Sequence, residues 1–312
     1  MRIKTIISLL RETFTEWNED KASRLAAALA YYTVFSLAPM LIIAIAIAGA
    51  VFGEEAARGE IVTQIQGLVG RDGAKFIETA IEGASKPRAG TIASLISIAV
   101  LLFGASGLFA QLQDSLNTIW EVQPKPGRGL IGILRDRFLS FTMVLGVGFL
   151  LLVSLVLSAG LSGLVNFLGS LLPGIGALLQ LANFVLSFAV TTLLFGLIYK
   201  VLPDVKIAWS DVWSGAIVTS LLFSIGRFAL GLYLGNSSFG STYGAAGSVV
   251  IILVWVYYAA QILFFGAEFT QVYARRYGSR IVPTKNAIPL TEKNRDEQGM
   301  KTDRDRRRRK TR

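Results

Sequence analysis

The stretch FLSFTMVLGVGFLLLVSLVLSAGLSGLVNFLGSLLPGIGALLQLANFVLSFAVTTLLFGLIY, residues 138–199, runs 62 positions without a charged side chain. A helix that crosses the hydrocarbon core of a bilayer needs about 20 apolar residues. The stretch therefore holds two such helices and a turn. The turn falls at Asn166–Gly176, where Gly169, Pro173, Gly174 and Gly176 crowd together. Spans over about 138–165 and 177–199 follow.

Four further uncharged runs surround it: Leu25–Gly53, Ala89–Gln113, Val212–Gly226 and Phe228–Ala267. They add spans at about 25–53, 91–112, 212–234 and 249–273. The first carries Pro39, which removes a backbone hydrogen bond and bends a helix. It is too long for the apolar region of a signal peptide, and Glu12, Glu16, Glu19 and Asp20 precede it, so it reads as a retained span. The expected fold class is all-α: a polytopic membrane protein with six transmembrane helices and short interfacial amphipathic helices.

Lys and Arg placement orients it. Five basic residues precede the first span, and Lys125, Arg128, Arg135 and Arg137 lie between the second and third. Lys200 and Lys206 follow the fourth, and 14 more lie beyond the sixth. The opposite side receives five, all in the 54–88 loop, where six acidic residues accompany them. Both termini are thus expected in the cytoplasm, with the chain multi-pass in a bacterial plasma (inner) membrane.

Three units are expected: residues 1–22 as a cytoplasmic amphipathic helix, 23–278 as the membrane domain, and 279–312 as a disordered basic tail. Ile3, Ile6, Ile7, Leu10, Phe14 and Trp17 share one helical face flanked by basic residues. That face suits either the cytoplasmic leaflet or loops of the protein. Residues 54–88 show two amphipathic pieces broken at Gly70–Gly73, which would cap a cavity or rest on the membrane. The tail has little to bury and ends in a basic run, Arg306–Lys310. Anionic phospholipids are its expected partners, each basic residue gaining about 1 kcal/mol near such a surface; specific nucleic-acid recognition is not expected.

The chain has no His and no Cys. That removes the commonest metal ligand, thiolate sites and cysteine nucleophiles. No metalloprotease, Walker A or nucleophile-elbow motif is present, and no carboxylate cluster suggests a two-metal site. The residue inventory argues against an ATP-driven pump or a metal-dependent hydrolase; no catalytic residue, cofactor or metal is expected.

Polar residues within the spans are the candidates for function. Arg227 stands in the fifth span about seven residues, roughly 10 Å, from its outer end. A charge there costs about 2.5–3.5 kcal/mol on insertion scales. It serves either as an anchor for an anionic group or as a structural hub. Tyr257, Tyr258 and Gln261 of the sixth span are its nearest candidates by depth. Glu268 lies too far toward the inner end, roughly 10–15 Å from Arg227 along the membrane normal, and is expected to answer Arg275, Arg24 or Lys200. Tyr31, Tyr32 and Ser36 form a polar strip near Pro39. Gln111 with Asp114, and Gln113 with Asn117, share helix faces at the inner end of the second span, a pattern that ordinary interface also explains.

Three motifs resemble the YihY/BrkB family of bacterial inner-membrane proteins. They are Arg24-Leu-Ala-Ala-Ala-Leu-Ala-Tyr-Tyr-Thr-Val-Phe-Ser-Leu-Ala-Pro39, then Leu116-Asn117-Thr-Ile-Trp120, then Tyr243-Gly-Ala-Ala-Gly-Ser-Val through Trp255-Val-Tyr257 to Gly266-Ala-Glu268. The likeness covers about residues 10–278 and leaves out the tail. It implies a six-helix membrane group, some members of which are linked to envelope lipids. An older ribonuclease label also attaches to that family, and the absent ligands speak against it here. Two readings stay open. One is a transporter or flippase of an anionic lipid or envelope precursor, with the Gly235–Ser248 loop and the 54–88 helices as its outer gate. The other is a non-transporting scaffold that recruits envelope-assembly proteins.

Overall fold

The computed structural model describes residues 3–85, 91–126, 176–235, 245–278 and 281–300. The expected span over 138–165, most of the turn after it, and most of the Gly235–Ser248 loop lie outside the described residues. So do residues 301–312.

The long elements are helices, as the uncharged runs require. They are α1 (Ile3–Glu19), α2 (Ala22–Phe52), α3 (Glu54–Ser85), α4 (Thr91–Ile119), α5 (Gly176–Val201), α6 (Trp209–Gly235) and α7 (Ala245–Tyr277). Short strands β1 (Val122–Pro124), β2 (Val205–Lys206), β3 (Val282–Pro283) and β4 (Ala287–Pro289), with a final helix α8 (Glu292–Glu297), complete the described chain. Within α2, α5, α6 and α7, the segments Ala22–Ala50, Phe184–Val201, Trp209–Ala229 and Gly247–Tyr277 are long and apolar enough to cross a membrane. Their outward faces are oily: Phe35, Phe184, Val185, Leu221, Ile225 and Phe228 are all exposed. Such a surface is unfavourable in water and natural against lipid.

Between helices, close approach replaces the hydrophobic drive that lipid cannot provide. The interface of α6 with α7 is the tightest. A Cβ at Gly215 would lie 1.7 Å from Thr270 Oγ1, and one at Gly266 would lie 1.8 Å from Thr219 Oγ1. Around that contact Tyr199 donates to the Leu263 carbonyl at 2.7 Å and meets Thr219 Oγ1 at 2.9 Å. Between α2 and α4 the same device recurs. Ser36 donates to the Gly104 carbonyl at 2.7 Å, and Pro39 Cγ would lie 3.1 Å from a Cβ at Gly104. Pro39 sits inside an unbroken α2.

The pieces expected in 54–88 form one hairpin. Gly70 (φ 78°, ψ 177°) breaks α3 into two helices, a backbone state that suits glycine. Arg58 reaches across to Glu82 at 2.6 Å, and Val69, Ile77 and Ile81 seat the hairpin on Ile45 of α2 and Ile252 of α7.

At the opposite end of the bundle, the end of α1, the start of α2 and the ends of α4, α5 and α7 come together; we call this the junction face. Leu9 and Thr13 bury the inner side of α1, Leu9 packing on Phe269 and Val272 of α7. Of the apolar stripe read from the sequence, Ile6, Ile7, Leu10 and Phe14 face outward, whereas Trp17 packs against the core.

The tail departs from expectation. Residues 281–300 are ordered, not disordered. β4 pairs antiparallel with β1 (Val122↔Pro289) and β3 with β2 (Val205↔Pro283). Thr291 caps α8 through its hydroxyl, accepting from the Asn294 amide. Composition counts only apolar content. Here order comes from backbone pairing with the loops that end α4 and α5, and from the buried side chains of Ala287, Arg295 and Met300.

Candidate functional site

Two polar groups stand out in the described bundle. The first surrounds Arg227. Its helix, α6, is positioned by the glycine contacts above, and Gly226 abuts the Tyr258 hydroxyl, where a Cβ would come within 2.4 Å. Tyr258, half-buried, thus sits at the level of Arg227, while Tyr257 is exposed. Arg227 itself is exposed, two residues before the end of the apolar segment Trp209–Ala229. Among the described residues it makes neither an ion pair nor a hydrogen bond. One turn deeper on α7, Gln261 is half-buried, and its Oε1 is buried without a partner. Tyr31 and Tyr32 are exposed on α2, stacked edge to face 5.9 Å apart.

The second group is the junction face, and most of it was invisible in the sequence. Asp20 lies in the joint between α1 and α2, turned by the left-handed backbone of Lys21 (φ 54°). It is fully buried and accepts from Arg295 Nη2 at 2.7 Å. Arg295 Nη1 donates to Glu121 at 3.0 Å, so one guanidinium joins the start of α2, the end of α4 and α8. Two residues of α7 do the same for α1: Arg275 bonds Glu12 at 3.0 Å and Glu16 at 2.8 Å, and Arg276 bonds Glu12 and Ser8. Burial pushes the Asp20 carboxyl up to about 7, with Glu121 and Glu16 adding to it and Arg295 opposing. One guanidinium shared with the half-exposed Glu121 does not offset the loss of water around Asp20.

Glu268 corrects the sequence expectation. It is wholly buried in α7, and neither carboxylate oxygen has a hydrogen-bond partner among the described residues. Arg275 is held by Glu12 and Glu16, Arg24 donates to the Gln298 carbonyl at 2.6 Å, and Lys200 donates to the Ile207 carbonyl. Each expected base is therefore committed elsewhere. Asn117 is also accounted for structurally. Its amide donates to Asp204 Oδ2 at 3.0 Å and accepts from the Asp204 backbone at 2.7 Å, tying the end of α4 to the loop after α5. Gln111 reaches Ser115 at 3.3 Å rather than Asp114.

Sequence reasoning missed Asp20, Glu121, Arg295 and Gln271. An acidic residue at a helix–helix joint gave a weak signal for Asp20. Arg295, inside Thr291-Glu-Lys-Asn-Arg-Asp-Glu297, reads as a solvated charge and gave none. Among the described residues no three His, Cys, Asp or Glu side chains are gathered as a metal site.

Oily outward faces, glycine-mediated helix contacts and helices of spanning length define an integral membrane protein. The virulence factor BrkB family matches residues 13–290, and the chain belongs to that family. It is similar to UPF0761 membrane proteins from several bacteria. One from Alteromonas mediterranea is 30% identical over 81% of this chain and 83% of its own length. One from Photobacterium profundum is 28% identical over 94% and 88%. One from Teredinibacter turnerae is 27% identical over 88% of this chain, which spans 63% of that relative. No solved structure matches the chain.

Proposed function

We propose that this chain is a transporter or flippase of a bacterial inner membrane, handling an anionic lipid or envelope precursor without an ATPase of its own. Six spans with the junction face in the cytoplasm complete the reading, supported by the Lys and Arg distribution. Arg227 carries it. A guanidinium exposed inside an apolar segment and left without a partner among the described residues needs an anion. A phosphate offers two parallel charge-assisted hydrogen bonds, and an arginine near a helix end can reach headgroup depth. Tyr258 at the same level, and Tyr257 and Gln261 nearby, supply polar groups along a path.

The test is translocation of fluorescent anionic and zwitterionic lipids in liposomes, wild type beside Arg227→Ala. The variant is expected to melt like the wild type, since Arg227 makes no ion pair or hydrogen bond among the described residues. Loss of anionic-lipid movement in this folded variant supports the reading. A variant that melts several degrees lower assigns Arg227 to structure and favours a scaffold for envelope-assembly proteins. No movement of either lipid by the wild type removes passive scrambling.

A further inference from the structure

Buried acceptor atoms at Glu268 lack a donor among the described residues. Among the described residues neither of its buried carboxylate oxygens has a hydrogen-bond partner, and neither has Oε1 of Gln271, itself 4% exposed. Residues three apart on a helix share a face, so these three acceptors form one neighbourhood. None of them can donate to another while Glu268 is ionised. A buried carboxylate with neither counter-ion nor hydrogen bond is among the most expensive arrangements a protein can hold.

No described residue pairs with the Glu268 carboxylate. Toward the junction face the charged groups are Asp20, Glu16, Glu121, Arg275 and Arg295. Glu16 and its neighbour Glu12 face from α1, Asp20 from the α1–α2 joint, and Glu121 from beyond α4. Asp114 on α4 and Asp211 on α6 add further negative groups on elements that touch α7. The cations nearby are engaged: Arg275 and Arg276 with α1, Arg295 with Asp20 and Glu121, Arg24 with the Gln298 carbonyl.

We propose that Glu268 and the amide oxygen of Gln271 form a proton-binding site inside the bundle. The bound proton makes Glu268 a neutral acid whose O–H donates to Gln271 Oε1, so one hydrogen satisfies two orphaned groups. Among the described residues no three His, Cys, Asp or Glu side chains gather here as a metal site. As the point where a transmembrane proton gradient acts on the chain, the site rests on the transport reading. Proton binding itself does not.

The test uses the full-length protein in lipid at neutral pH, with two readouts. Infrared absorption of wild type and Glu268→Gln is expected to show the carbonyl band of a neutral carboxylic acid that the variant loses. Dicyclohexylcarbodiimide, an apolar reagent for protonated carboxyls, is expected to leave its adduct on the Glu268 peptide at neutral pH and lose it at alkaline pH. An ionised Glu268, seen as no band that Glu268→Gln removes, overturns the proposal. If Glu268→Gln does not fold, the adduct map on the wild type decides, and no adduct on Glu268 also overturns it. Neither readout depends on lipid movement, so failure here leaves a passive transporter standing, and failure of transport leaves the proton site standing.

Discussion

Replacing Gly266 by alanine places one methyl group at the tightest point of the bundle. The new Cβ would lie 1.8 Å from Thr219 Oγ1, 2.5 Å from the Tyr199 hydroxyl and 2.9 Å from Thr219 Cβ. Thr219 is wholly buried and held by its own hydroxyl, which donates to the Gly215 carbonyl at 2.7 Å. It cannot swing away without leaving Tyr199, whose ring is also wholly buried. Either α6 and α7 separate or the hydroxyl pair breaks. Overpacking costs about 1–3 kcal/mol, and each buried hydrogen bond lost adds about 0.5–1.5 kcal/mol. The sum is about 2–5 kcal/mol, or a fall of roughly 5–15 °C in apparent Tm by the usual scaling for larger chains. The assay is thermal unfolding of purified protein in mild detergent. The double variant Gly266→Ala with Thr219→Ala removes the obstructing hydroxyl, so its loss should be clearly smaller than the sum of the two single losses. A Gly266→Ala protein that melts with the wild type, or a strictly additive double variant, would refute the packing argument.

Two further outcomes follow from the junction face. Arg295→Met leaves Asp20 and Glu121 without their shared guanidinium. Breaking a buried pair from one side costs about 3–5 kcal/mol, and limited proteolysis should show the segment 281–300 cut at protease levels the wild type resists. Asp20 binds its proton more tightly in the folded protein than in the unfolded chain, with a folded value of about 7 against an ordinary 3.8. Between those values the folded state holds more protons, so Asp20 contributes stability at low pH that is lost as pH rises through about 7. The comparison is Tm measured across that window for wild type and Asp20→Asn; equal slopes would show that Asp20 is not the group responsible.

Long uncharged runs can be read from sequence because lipid allows little else, and α2, α5, α6 and α7 lie where those runs are. The break in α3 was legible for a related reason: two amphipathic stretches met at Gly70, and only the backbone freedom of glycine lets them fold on each other. The candidate site was legible in part. Arg227 and Glu268 are conspicuous because charge inside an apolar helix is costly, and depth counting kept them apart. Their partners were not legible. Glu268 lies on the same stretch of α7 as Arg275, yet α1 packs there and takes Arg275 for Glu12 and Glu16. Composition made the segment after Pro283 look unfoldable, because strand pairing with β1 and β2 is a property of distant backbone. Arg295 finds Asp20 across 275 positions, a distance no local pattern reports.

That separation also sets an order of assembly. Asp20 emerges early in synthesis and Glu121 in the middle, whereas the arginine that joins them lies within the last described stretch. Until residue 295 has been made, the corner where α2 and α4 meet holds two carboxylates with no common cation, and water must keep them company. Membrane insertion of the early helices therefore precedes closure of this corner, which works as a final clasp. A chain stopped shortly before Arg295 would possess every spanning segment described here and still lack the piece that locks its first helix joint to its fourth helix.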